Sequence, residues 1–296
     1  MRKTKFKPKT PFHLLALCFI FMLASCTHGI KNLNSCDDID FPLENVFKST
    51  VFVDGQIIDK KTKKVFFKYT GSGGVVWQGF DSTIVMTAAH VCDAERSLQL
   101  IRKTSETPED VSQVVKIHDR DNRVYPVISY VAATEFDLCM MHVSKIPNAP
   151  AIKIASEEPE VGDAVFNIAS PIGIFSSDGS PMFKGYYSGD YKILNISQEK
   201  SSLFSLPAAP GSSGSLLLNK NQEVIGVVSA VYVRFHHLTI SPTVKQIRTL
   251  MAGKAKTRDK LFISFDPPIV AEEKTFLWGK EGPDWNPKEI DIYIVP

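Results

Sequence analysis

What the 296-residue chain lacks narrows its reading first. Five cysteines are too few for a scaffold stapled by many disulfides. The longest apolar run, Leu14 to Ala24, covers 11 residues, well short of the roughly 20 that cross a bilayer as a helix. There is no H-E-x-x-H pattern, and the adjacent His236 and His237 lack the helical spacing of metal ligands, so no metal is expected, and the chemistry of the residues read below requires no cofactor. No internal repeat is visible. A strong excess of base is also missing, since 34 Lys and Arg face 32 Asp and Glu. Five of the bases, Arg2, Lys3, Lys5, Lys7 and Lys9, crowd the first ten residues. Without them 29 bases stand against 32 acids, a balance of −3, and nucleic acid is not an expected partner.

What is present begins at the N-terminus. A basic segment, a short apolar run and small residues at its end form the pattern of a secretory signal. The run closes on Leu23-Ala24-Ser25-Cys26. These four residues resemble the lipobox of bacterial lipoproteins, whose cysteine becomes the lipidated first residue of the mature chain. The resemblance implies a signal peptide over 1–25, lipidation at Cys26 and a site outside the cytoplasm on the outer or cytoplasmic membrane of a bacterial cell envelope. The alternative is ordinary signal cleavage nearby. Several acyl chains on one residue anchor durably where a single chain binds marginally. Residues 26–44 are polar and aperiodic, as a tether would be.

From Val46 onward the chain is mostly short runs of β-forming residues bounded by turn residues. Thr50–Val53, Val65–Tyr69, Gly74–Trp77, Thr83–Met86, Ser97–Ile101, Val114–Ile117, Val124–Val131 and Leu138–Val143 are expected strands. Further along come Ala164–Ile168, Tyr191–Ile196, Leu216–Leu218, Val224–Tyr232 and Leu238–Ile240. Asp59 to Thr62 and Asp119 to Asn122 read as hairpin turns. One amphipathic helix is expected over Pro242–Met251, where Val244, Ile247 and Leu250 recur at helical spacing. The whole reads as an all-β barrel or sandwich.

Three stretches carry chemistry. Thr87-Ala88-Ala89-His90 follows an apolar strand, and Phe136-Asp137-Leu138 opens another. The third is Pro210-Gly211-Ser212-Ser213-Gly214-Ser215, which runs into Leu216-Leu217-Leu218. Glycines flanking a serine let the backbone take conformations closed to other residues and let a substrate come close. The order His90, Asp137, Ser213 is that of the chymotrypsin-type triad, in which serine is the nucleophile, histidine its base and aspartate the group that orients the base. Cys92 and Cys139 each lie two residues beyond a candidate catalytic residue. They could bridge or remain buried thiols.

With these residues in place, the chain resembles the trypsin-like serine proteases, above all their bacterial HtrA-like and V8-like branch. The resemblance runs through Gly71-Ser72-Gly73-Gly74-Val75, the His90 stretch, Asp137 and Val161-Gly162-Asp163-Ala164-Val165 with Ile168 to Gly173. It continues through the Ser213 turn, Glu223 to Val227, and Leu238 to Pro242. It implies two six-stranded antiparallel barrels, about 45–150 and 151–252, within a protease domain over 45–252, and peptide bonds of a polypeptide as the substrate. It also implies an oxyanion hole from the backbone N–H groups of Gly211 and Ser213.

By the same resemblance, Pro207, Ala208, Val228, Ser229 and Ala230 line the substrate pocket, with His237 to Thr239 near it. These positions are mostly apolar or small. No acid sits just upstream of Ser213, which disfavours a preference for Lys or Arg, and Val228 stands where V8-like enzymes place a glutamate-binding histidine. A small or aliphatic preference is therefore expected. About 45 residues follow Met251, too few for the PDZ domain that HtrA proteins carry. That tail, 253–296, holds alternating Ile290, Ile292 and Ile294, which suits either a terminal strand on the barrel or a segment that docks a partner. The competing function is a protease-fold protein that binds polypeptides at the envelope without cutting them.

Overall fold

In a computed structural model of the chain the described residues are 43–93, 95, 98, 110–192, 199–232, 235–261 and 292–294, with backbone alone at 235–236, 260–261 and 292–294. They belong to the unit Pro42–Pro296. The expected signal segment, Cys26, nearly all of the expected tether and the expected strand Ser97–Ile101, apart from Leu98, lie outside them.

The first half is built from a short helix α1 (Glu44–Ser49), then β1 (Thr50–Asp59), β2 (Val65–Gln78), β3 (Ser82–Thr87) and a four-residue helix α2 (Ala89–Cys92). It continues with β4 (Val111–His118), β5 (Val124–Pro126), β6 (Ser129–Ala133) and β7 (Leu138–Ser144). The second half holds β8 (Ala164–Ile168), β9 (Met182–Lys192), β10 (Lys200–Phe204), β11 (Leu216–Leu218), β12 (Val224–Val227), β13 (Ala230–Tyr232) and β14 (Phe235–Ser241). Helix α3 (Val244–Met251) and the tail strands β15 (Arg258–Leu261) and β16 (Ile292–Ile294) complete it.

Two curled antiparallel sheets result, ordered β15-β6-β7-β3-β2-β1-β4-β5 and β12-β11-β8-β9-β10-β14-β13-β16. The architecture is all-β and chymotrypsin-like. Eight strands lie in each sheet where six are expected, and the tail supplies one extra strand to each. Alternation sets the register: along β1 Val51, Val53 and Ile57 point into the first core, where Val85, Ile117 and Met141 meet them. Val165, Phe204, Leu217 and Ile225 form the second core.

The expected turns are stabilised by their aspartates. Asp59 Oδ1 accepts from Lys61 N at 2.8 Å, and Asp119 Oδ1 from Arg123 N at 2.8 Å. Helix α3 starts two residues later than expected because Thr243 caps it: Gln246 N donates to the Thr243 hydroxyl at 3.3 Å, and Thr243 N to Gln246 Oε1 at 2.9 Å. Val244, Ile247 and Leu250 are its buried face, as their spacing requires. Cys92 and Cys139 form a disulfide that joins α2 to β7.

Candidate active site

His90 and Asp137 meet where β3 ends and β7 begins. Thr87 ends β3, Ala88 stays extended, and α2 turns His90 inward until it is buried. Strands β3 and β7 are paired up to Thr87 and Cys139, so the residues just beyond each end are brought together. Ala89 N donates to the Asp137 carbonyl at 3.1 Å and His90 N to Asp137 Oδ1 at 3.0 Å. The imidazole Nδ1 lies 2.8 Å from Oδ2 and 3.1 Å from Oδ1. An ionised carboxylate only accepts, so Nδ1 carries the proton and Nε2 is the basic nitrogen. Asp137 holds φ at +55°, in the left-handed region that Asp tolerates better than most residues.

The carboxylate has a further donor. The Ser229 hydroxyl donates to Asp137 Oδ2 from the other sheet. Burial of Asp137 opposes its charge, but the His90 ring, the Ser229 hydroxyl and the His90 backbone N–H outweigh it and hold the carboxyl below its usual range.

Two consecutive tight turns meet at Ser212, and Ser213 is the first central residue of the second. Ser212 N donates to the Ala209 carbonyl at 2.8 Å, and Ser215 N to the Ser212 carbonyl at 3.0 Å. Pro210 and Gly211 are the central residues of the first, with Gly211 at φ +89°, the pairing that a type II turn favours. Gly214, at φ +86°, has no room for a side chain: a Cβ there would stand 2.2 Å from the Ser72 carbonyl oxygen and 2.0 Å from Thr87 Oγ1. The serine turn thus lies directly on β2 and the end of β3.

Ser72 makes that contact polar. Its N–H donates to the Ser213 carbonyl at 2.7 Å and its hydroxyl to the Gly211 carbonyl at 2.7 Å, while Ser170 N donates to that hydroxyl at 2.9 Å. The Thr87 hydroxyl donates to the Ser72 carbonyl at 2.7 Å. A Cβ on Gly71 would stand 2.6 Å from Val91, the neighbour of His90, and 3.3 Å from the Ser213 carbonyl oxygen. His90, Asp137 and Ser213, read separately from the sequence, therefore come from segments folded against one another.

The residues expected to line a substrate pocket take several positions. Ala208 and Val228 are packed into the second core, and Pro207 is half-buried. Ser229 is turned to Asp137 rather than serving only as a pocket wall. Ala230, with Thr134, Phe136, Asp137 and Arg258, lines a cavity of about 500 Å³ beside Asp137. His237 is exposed. Ser229 as a donor to Asp137 and Ser72 as a tie between the sheets are roles that sequence reasoning misses. The Gly71-Ser72-Gly73-Gly74 segment could have pointed to Ser72, because clustered glycines mark a close backbone approach.

The chain belongs to the trypsin-like peptidase domain family, whose profile matches residues 71–227, a span that includes His90, Asp137 and Ser213. Among solved structures it is similar to the HtrA-type protease AlgW, in a serine-to-alanine variant with a tripeptide. The TM-score is 0.54 at 16% identity, with 71% of this chain and 61% of that one covered, so the chain spans about three fifths of that protein's length. It is also similar to the active form of the Rv3671c protease from M. tuberculosis, at TM-score 0.51 and 17% identity over 72% of this chain and 84% of the other. At these identities the likeness is one of fold. No curated protein matches the sequence.

Proposed function

We propose that the protein is a serine endopeptidase that cleaves polypeptides through an acyl-enzyme, anchored by lipid outside the cytoplasm. The observation that carries the chemistry is the buried His90–Asp137 pair, Nδ1 to Oδ2 at 2.8 Å, near a glycine-flanked serine turn hydrogen-bonded to Ser72 on β2, the strand beside β3.

Ser213 Oγ attacks the substrate carbonyl carbon while His90 Nε2 takes its proton. Asp137 holds the ring in the tautomer that makes Nε2 basic and stabilises the imidazolium that forms. The N–H groups of Gly211 and Ser213 receive the oxyanion, each such donor being worth about 3 kcal/mol to the transition state. As the tetrahedral species collapses, His90 returns the proton to the leaving amine. Water then repeats the sequence on the acyl-serine and frees the acid. The preference for a small or aliphatic residue before the cut rests on the resemblance and on the lack of an acid just upstream of Ser213, because Ala208 and Val228 are themselves packed into the second core.

A fluorophosphonate probe tests the nucleophile. The mature protein is expected to label, and Ser213→Ala to abolish labelling and to lower peptide cleavage by roughly 10⁴-fold or more. A wild-type protein that stays unlabelled beside a reactive control protease leaves only polypeptide binding.

Export and anchoring rest on the basic, apolar and Leu23-Ala24-Ser25-Cys26 segments in order. The Cys92–Cys139 disulfide suits the same address, since such bonds persist in oxidising compartments. Cys26→Ser is expected to move the protein from the membrane to the soluble fraction on cell fractionation; unchanged membrane association refutes the anchor.

A further inference from the structure

We propose that the tail strand Ile292–Ile294 occupies the edge along which the enzyme lays its polypeptide substrate, so that the chain competes with substrate at its own active site. This rests on the reading of Ser213 as nucleophile. It adds a regulator and a substrate class.

A polypeptide presented to Ser213 must lie extended near the serine turn, and extended peptides are held by adding a strand to a sheet edge. The nearest strand is set by hydrogen bonds. Gly214 N donates to the Val228 carbonyl at 2.8 Å, and Val228 N donates to the Ser215 carbonyl at 2.9 Å, so Val228 lies alongside the turn. Ser229 follows, with its hydroxyl on Asp137. The next residue opens β13. One side of β13 is taken by β14, through Ala230 opposite Ile240 and Val231 opposite Thr239. At about 3.3 Å per residue, Ala230 to Tyr232 lead away from Val228 over roughly 7 to 13 Å, the reach of a few substrate residues.

The other side of β13 holds β16. The pairing is antiparallel, with Ala230 opposite Ile294, Val231 opposite Tyr293 and Tyr232 opposite Ile292. That direction runs the tail segment toward Ser229, as a substrate approaching the nucleophile along this edge would run. Strand β16 ends the sheet order and is three residues long, with β13 as its one strand partner among the described residues. A strand held by a single short ladder can be displaced by a competitor. Ile292 belongs to the same chain, with 30 residues of sequence between it and Leu261, so its competition with substrate is intramolecular and acts at a fixed effective concentration. Such a concentration blocks weak substrates and yields to strong ones.

The occupant also indicates what the edge accepts. Ile-Tyr-Ile is β-branched and aromatic throughout, the composition that favours strand pairing. The substrate class is therefore extended apolar segments rather than charged ones.

The test uses the full mature chain carrying Ser213→Ala, so that binding is read without chemistry. Neighbouring residues of an antiparallel strand alternate in facing the partner, so the double substitution Ile292→Pro/Tyr293→Pro removes a ladder N–H whichever residue donates. The probe is a fluorescent peptide, Asp-Ile-Tyr-Ile-Val, followed by anisotropy. The proline variant is expected to bind it at least tenfold more tightly than the chain with an intact tail. Ile292→Gly/Ile294→Gly, which weakens the strand without proline's steric demand, is expected to shift affinity the same way. Equal affinity in all three proteins overturns the proposal. Absent fluorophosphonate labelling of the Ser213 enzyme would instead overturn the protease reading, so the two failures are distinct.

Discussion

Asp137 shows how one buried charge is kept. A carboxylate out of water would protonate if nothing compensated it, yet the His90 ring, the Ser229 hydroxyl and the His90 N–H together lower its affinity for a proton. A carboxyl that binds protons more weakly in the folded state stabilises that state above its unfolded pKa, about 3.9 for Asp. The contribution is lost as pH falls through the lower folded value. Urea midpoints measured from pH 7 down to pH 2 should therefore show wild type more stable than Asp137→Asn at neutral pH, with the gap closing in acid. A gap that is constant with pH would mean the carboxylate's charge adds nothing. At this scale the sequence is most legible for residues whose chemistry has few substitutes. His90, Asp137 and Ser213 stand out by type and order. Ser229 and Ser72 do not, because a serine among strand-forming residues points to no role until its partner across the fold is known.

Among the elements, alternation and turn chemistry read well, and glycine misleads. Ala164–Ile168 and Leu216–Leu218 form strands within the expected limits, and the Asp59 and Asp119 turns form where expected. Val65–Tyr69 and Gly74–Trp77 read as two strands parted by Thr70 to Gly73, but Val65–Gln78 is one strand of 14 residues. Those glycines are there for close approach. Most of β9 is missed for the same reason: Gly185 looks like a turn residue, yet a Cβ on it would stand 2.1 Å from the Ser205 carbonyl oxygen of the crossing chain. Val224–Tyr232 fails in the other direction, since one expected strand breaks at Val228 and Ser229 to pass the serine turn. The Cys92–Cys139 pairing is undecidable from spacing alone and follows from the β3–β7 register. With its ends 47 positions apart in sequence it removes about 4 kcal/mol of loop entropy from the unfolded chain, and it ties the two segments that carry His90 and Asp137.

For the molecule as a whole, the site is a seam. The first sheet supplies His90 and Asp137, the second supplies Ser213 and Ser229, and neither set is complete alone. Hydrogen bonds across the seam hold the proposed nucleophile and its proposed base in register, and Ser72 takes part in three of them through its N–H and hydroxyl. Removing the hydroxyl in Ser72→Ala leaves the buried Gly211 carbonyl and Ser170 N–H without that partner, at a cost of about 1–3 kcal/mol for each group left unsatisfied. The Gly211 carbonyl belongs to the turn that aims Ser213, and misplacing a reacting group by about 1 Å costs on the order of 10²-fold in rate. Ser72→Ala is therefore expected to lower kcat by roughly ten- to a hundredfold with little change in KM. The measurement is kinetics on a peptide substrate at a temperature where circular dichroism shows wild type and variant equally folded. A purely structural role would reduce the folded fraction and leave kcat per folded molecule intact. A fall in kcat at full folding assigns Ser72 to the alignment of the seam, and an unchanged kcat removes it from the machinery.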